Sequence, residues 1–161
     1  MKAKRIITII AITALTISLF TGCGISNMNR IYNDNSKIAD MADTFGLDES
    51  EEMIEEGSYK GKFKLNGSGT IWRYESDEDF DLEVPYNLSV KSGKAKIVLI
   101  SPDNTVTTLI ENTDKATIDG NTTLSIPVRK GINRIKVVGY KKSDIDIELH
   151  IKKGTFEKIS F

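Results

Sequence analysis

From Tyr59 to the C-terminus, apolar and polar residues alternate with a period of two. That pattern constrains the chain more than any other feature, because only a strand sends successive side chains to opposite faces. Leu82, Val84, Tyr86, Leu88 and Val90 alternate with mostly polar residues. Lys96 to Ile100 is apolar after its first residue, as expected of a central strand buried on both faces. Further strands are expected at Thr105–Glu111, Ala116–Asp119, Thr122–Val128, Asn133–Tyr140, Ile145–Ile151 and Thr155–Ser160. Turn chemistry lies between them at Ser101-Pro102-Asp103-Asn104, Asp119-Gly120, Lys130-Gly131 and Lys153-Gly154. Many strands at short spacing predict an all-β, antiparallel β-sandwich of jelly-roll or immunoglobulin-like type over residues 58–161.

Asn66-Gly67, flanked by alternating segments, is the strongest short hairpin signal in the chain. A two-residue turn there pairs Leu65 with Ser68, Phe63 with Thr70, Gly61 with Trp72 and Tyr59 with Tyr74. Tyr59, Phe63, Leu65, Trp72 and Tyr74 then share one face, and Lys60, Lys62, Lys64 and Arg73, along with Ile71, the other. Charged residues left unpaired in a core are heavily penalised, so the aromatic face is expected to be core. The sharper alternative is a platform of Tyr59, Trp72 and Tyr74 that stacks on sugar rings.

Other candidates also carry a bland and a sharp reading. Glu75, Asp77, Asp79, Asp81 and Glu83 fall at alternate positions, so an extended chain puts five carboxylates on one face. A solvated face is expected. The alternative is a calcium site at Asp77, Asp79 and Asp81, although calcium loops wrap the ion with help from glycine and carbonyl groups. His150 is the one histidine. Ile145, Ile147, Leu149 and Ile151 define an inner face, which puts His150 outside, with Lys136 opposite it across an expected loop at Lys142–Asp144. There is no G-x-S-x-G elbow, S-x-x-K, Rossmann, P-loop or zinc pattern, and the reading is a non-enzyme without a cofactor.

Ahead of the alternating region, residues 24–57 hold 2 basic and 9 acidic residues, whereas residues 58–161 hold 17 basic and 14 acidic. An acidic segment before a mildly basic domain is not a nucleic-acid binder's profile. Ile38, Met41, Ala42 and Phe45 recur at helical spacing, predicting a short amphipathic helix from Asp34–Ser36 to Gly46. Asp48 to Glu56 reads as an acidic linker or second weak helix, with a partner-binding helix as alternative. Residues 23–57 are therefore expected to be a tether with one helix.

The first 22 residues have three zones. Lys2, Lys4 and Arg5 are followed by an uncharged stretch from Ile6 to Phe20, then by Thr21 and Gly22. This is the layout of a secretory signal peptide, and the apolar stretch is shorter than the roughly 20 residues of a membrane-spanning helix. Leu19-Phe20-Thr21-Gly22-Cys23 resembles the lipobox of bacterial lipoproteins, with Phe20 standing where Leu is usual. The resemblance implies that the Cys23 thiol receives a diacylglyceryl group and that Cys23 becomes the N-terminus after residues 1–22 are removed. Cys23 is the only cysteine, which suits an attachment point better than a disulfide framework. Two acyl chains suffice for stable anchoring. The Ile/Lys/Asn-rich composition looks like that of a low-GC Gram-positive bacterium, so the anchor is expected on the extracytoplasmic face of the cell membrane.

Gly131 to Tyr140, followed by Ile145–Ile151, resembles the late strands of galactose-binding-like and carbohydrate-module sandwiches. The resemblance implies a fold and carries over no ligand residues. The functional expectation is a non-catalytic interaction module for an envelope protein, with a cell-wall glycan module as alternative.

Overall fold

The computed structural model describes residues 28–113 and 116–159, so the signal segment and Cys23 lie outside the described residues. Residues 28–31 are helical, and α1 (Asn35–Ala39) follows. The strands are β1 (Thr44–Glu55), β2 (Ser58–Ser76), β3 (Phe80–Ile100), β4 (Val106–Thr113), β5 (Ala116–Val128), β6 (Gly131–His150) and β7 (Thr155–Phe156).

Every pairing is antiparallel. β2, β3 and β6 are 19, 21 and 20 residues long, several times the common strand. Each bends near its middle and serves two layers. In the first layer the order is β1-β2-β6-β3-β5, as in the row Glu51–Lys62–Asp146–Ser89–Thr117. In the second, the later half of β2 pairs with β7 and with the early half of β6, which pairs with the later half of β3 and through it with β4. The fold is an antiparallel β-sandwich, as the alternation predicts.

The bends replace two expected turns. Asn66-Gly67 is no hairpin, because β2 continues through it as one strand and both flanks pair with β6, Leu65 with Ser143 and Gly67 with Gly139. Gly67 spends its left-handed φ of 104° on a register shift instead. The expected loop at Lys142–Asp144 is likewise a bend inside β6, with Lys141 and Lys142 left-handed. Gly93 makes the matching bend in β3 at φ 73°, and a Cβ there would stand 2.7 Å from the Tyr140 carbonyl oxygen. Three strands bending on one line fold the sheet over itself.

Two apolar clusters result. Between the layers lie Tyr59, Phe63, Leu65, Trp72, Leu88, Ile97, Leu99, Ile135 and Ile147 with their neighbours. The other cluster sits outside the second layer, where Ile31, Tyr32 and Ile38 cover Val98, Ile100 and Val138. β3 is thus buried on both faces from Ile97 to Ile100, as its apolar run predicts. At about 1.5–3 kcal/mol per buried large side chain, both clusters stabilise the fold substantially.

The expected tether is corrected over two stretches. Residues 28–39 pack onto the second layer. Asp34 caps α1 by accepting from the Ser36 and Lys37 amides, at 3.1 and 3.2 Å, which is the start the sequence predicts. The helix stops at Ala39 rather than Gly46, leaving Met41 64% exposed and placing Phe45 in β1. The acidic run from Asp48 to Glu55 is neither linker nor helix. It is an edge strand paired with β2, in which Glu49 lies 2.5 Å from Lys64 Nζ, Asp48 pairs with Lys142 of β6, and Glu52 accepts from the Tyr59 hydroxyl and the Ile159 amide.

Candidate functional site

The two layers differ in what covers them. The second carries the N-terminal segment, and buried cations hold that segment down. Lys136 Nζ reaches Asp43 Oδ1 at 2.9 Å and the Asp40 carbonyl at 2.7 Å, while Arg134 donates to the Ala39 and Asp40 carbonyls at 2.7 and 3.0 Å. The carbonyls leaving α1 have no helical partners, and cations suit that end. Asp43 also accepts from the Thr70 amide and hydroxyl, both at 2.9 Å. Burial pulls the Lys136 and Arg134 pKa values down, and the Asp43 carboxylate opposes it in both. Alternation puts Lys136 on an outer face, and here that face is covered rather than solvated. The stretch from Ala39 to Asp43 supplies the carbonyls and the carboxylate they bind, while Ile31, Tyr32 and Ile38 cover Val98, Ile100 and Val138 on the same layer.

The first layer's outer face has no such cover among the described residues. It carries a ladder of opposite charges set by register: Lys60 pairs with Glu148 and Lys62 with Asp146 across β2 and β6. Their charged atoms lie 3.0 and 3.6 Å apart. Alternation puts all four on one face. With Glu51 and Met53 of the edge strand they line an open hollow of about 470 Å³. The hydrogen bond between them raises the Lys60 pKa and lowers that of Glu148. His150 Nε2 lies 3.0 Å from the same Glu148 oxygen, on the surface as its alternation implies. It pairs with Ser58, and Lys136 is not opposite it but pairs with Thr70 and Val98.

The proposed sugar platform does not form. Tyr59 and Trp72 are both fully buried. Trp72 pairs with Ile135 rather than Gly61 and donates its indole N–H to the Lys153 carbonyl at 2.8 Å. Tyr59 stacks on Phe156 at 5.8 Å and donates to Glu52 at 2.6 Å. Tyr74 alone is half-buried, packed against Trp72 and Phe80 beneath Lys153. The five carboxylates from Glu75 to Glu83 do not share a face either, because residues 77–79 turn between β2 and β3. Asp79 accepts from the Lys130 amide at 2.8 Å and faces Arg129 at 3.7 Å. Asp77 and Asp81 are exposed, and no group of three metal-ligating side chains converges among the described residues.

No protein-family model matches the chain, and no curated protein matches it in sequence. Among solved structures it is similar to a family 29 carbohydrate-binding module, at 11% identity over 69% of this chain and 76% of that one, with a TM-score of 0.34. A point variant of the family 29 module CBM29-2 complexed with mannohexaose gives 12% identity over 70% and 83%, with a TM-score of 0.36. Procruciferin, an 11S globulin from Brassica napus, gives 10% identity over 64% and 23%, with a TM-score of 0.30. The β-sandwich assignment rests on the strand pairing itself.

Proposed function

We propose that the protein is a non-catalytic, extracytoplasmic binding module, held to its membrane by a diacylglyceryl group on Cys23, that engages an envelope partner through the bare face of the first layer. The observation that carries the site is the asymmetry of the sandwich. One outer face is sealed by residues 28–43, and the other presents paired lysines and carboxylates around the hollow beside Met53. Catalysis fits this face poorly. A general acid at neutral pH needs a raised carboxyl pKa, and Lys60 pushes that of Glu148 the other way. A glycan partner would meet polar side chains here rather than the rings of Tyr59 and Trp72.

Two measurements test the reading. The full chain should incorporate an alkyne fatty acid, and Cys23→Ala should abolish the label and leave the membrane fraction. Retention of both in the variant overturns the anchor. A photo-crosslinker at Met53 should give a discrete adduct in cells that Lys60→Glu with Lys62→Glu removes. Equal crosslinking from exposed Thr108 of β4 would overturn the site.

A further inference from the structure

The sandwich has two ends: the line where β2, β3 and β6 bend, and the opposite end where the layers part. The N-terminal segment enters at the bend. Asn29 Oδ1 accepts from the Lys141 amide at 3.2 Å, and the same amide lies 3.2 Å from Asn66 Oδ1. Met28 Sδ stands 3.4 Å from where a Cβ on Gly46 would be, and Gly46 pairs with Asn66. Only four residues, Gly24 to Asn27, lie between Cys23 and Met28, and covalent geometry limits the five steps from one to the other to about 18 Å. A chain lipidated at Cys23 cannot hold its domain at arm's length from the bilayer.

The bend end is also cationic. Lys91 and Lys141 are exposed there, and Lys94 Nζ sits 4.3 Å above the Tyr32 ring. None of the three forms an ion pair among the described residues, whereas neighbouring Lys64 and Lys142 are paired with Glu49 and Asp48. Arg30, exposed one residue beyond Asn29, adds to the set. Half-buried Asp144 offsets part of the charge, and Glu111 is engaged by the Tyr32 hydroxyl at 2.7 Å. Anionic leaflets attract lysines within a Debye length, about 8–10 Å at physiological ionic strength. The short leash brings this end into that range.

We propose that the bend end is a docking surface for anionic phospholipid headgroups, so that the domain stands on its membrane with Lys91, Lys94 and Lys141 down and the opposite end up. The proposal rests on lipidation at Cys23. It orients the sandwich so that the bare face of the first layer runs up from the bilayer, open from the side.

The test uses the mature lipidated protein in vesicles of phosphatidylcholine with or without phosphatidylglycerol. A donor dye is attached at Ser92→Cys on the bend or at Asp103→Cys, beyond the roughly 20 Å of β3 that separates Lys94 from Ile100, and an acceptor is placed on lipid headgroups. Energy transfer should be several-fold stronger from position 92 than from 103 on phosphatidylglycerol vesicles. The contrast should shrink in high salt, on pure phosphatidylcholine, and in Lys91→Glu with Lys141→Glu, both exposed and remote from the core. Equal transfer from the two positions, or a contrast indifferent to phosphatidylglycerol and salt, overturns the docking surface while leaving the anchor intact. Protein that floats with neither vesicle and carries no lipid overturns the anchor, and the docking surface with it.

Discussion

Lys136 Nζ lies 2.9 Å from Asp43 Oδ1, with its side chain fully buried between the second layer and the chain segment that follows α1. Removing one partner of a buried pair leaves the other uncompensated, which costs about 3–5 kcal/mol. Asp43 keeps its Thr70 bonds and part of its exposure, so Lys136→Met should lose about 3 kcal/mol, the low end of that range. Urea unfolding checks this, and a loss under about 1 kcal/mol would mean the pair behaves as a surface one. The double variant with Asp43→Asn should lose less than the sum of the two single changes.

Alkaline titration separates the tyrosines. Burial first, then hydrogen bonding to Glu111 and Glu52, raises the pKa values of Tyr32 and Tyr59 far above the ordinary 10.0. A raised native pKa contributes stability that is complete below the unfolded value and declines above it. Above pH 10 the unfolded chain loses phenolic protons that the native chain keeps, so stability should fall from there upward. The phenolate absorption band should receive nothing from these two residues until the fold is lost. Their titration in the native protein would place them at the surface.

At the bend of β3, Gly93→Ala should destabilise by about 1–3 kcal/mol, since a left-handed φ strains any side chain and the new Cβ would meet the Tyr140 carbonyl oxygen. Gly46→Ala is the contrast, meeting only the flexible end of Met28 at an ordinary distance. Thermal midpoints compare the two, and equal midpoints would show that the bend tolerates other backbone conformations.

Trp72 should be nearly immune to iodide quenching of its fluorescence, and Trp72→Ala should cost about 3–5 kcal/mol. Tyr74→Ala should cost clearly less, because its ring is only half-buried. Strong quenching of native Trp72 would return the ring to the surface and revive the stacking platform.

The period-two pattern made the strands legible, but not where they end. Residues 58–76 and 131–150 each read as two strands because an interruption such as Asn66-Gly67 has the same local chemistry whether the chain reverses or merely bends. What decides between them is the partner strand, and β6 bends beside β2 at the same place. Strand lengths near 20 residues also lie outside usual expectation. The acidic edge strand was hidden for a related reason: Glu and Asp are depleted in strands generally, and only the lysines of β2 across the register give Glu49 and its neighbours a reason to extend. The Lys-bearing opposite face is enough to place Tyr59 and Trp72 in the core, but their strand partners are Leu149 and Ile135 rather than Tyr74 and Gly61. Lys136 and Arg134 stayed invisible because their burial depends on a segment nearly a hundred residues earlier.

The shared bends of β2, β3 and β6 make the sandwich indivisible. In an ordinary sandwich the two sheets pack through side chains and are joined by loops. Here each layer's central strands are the covalent continuation of the other's, so opening one layer pulls the register of its counterpart. No proteolytic cut that removes one layer can leave the other whole, and the domain should melt as one cooperative unit or not at all.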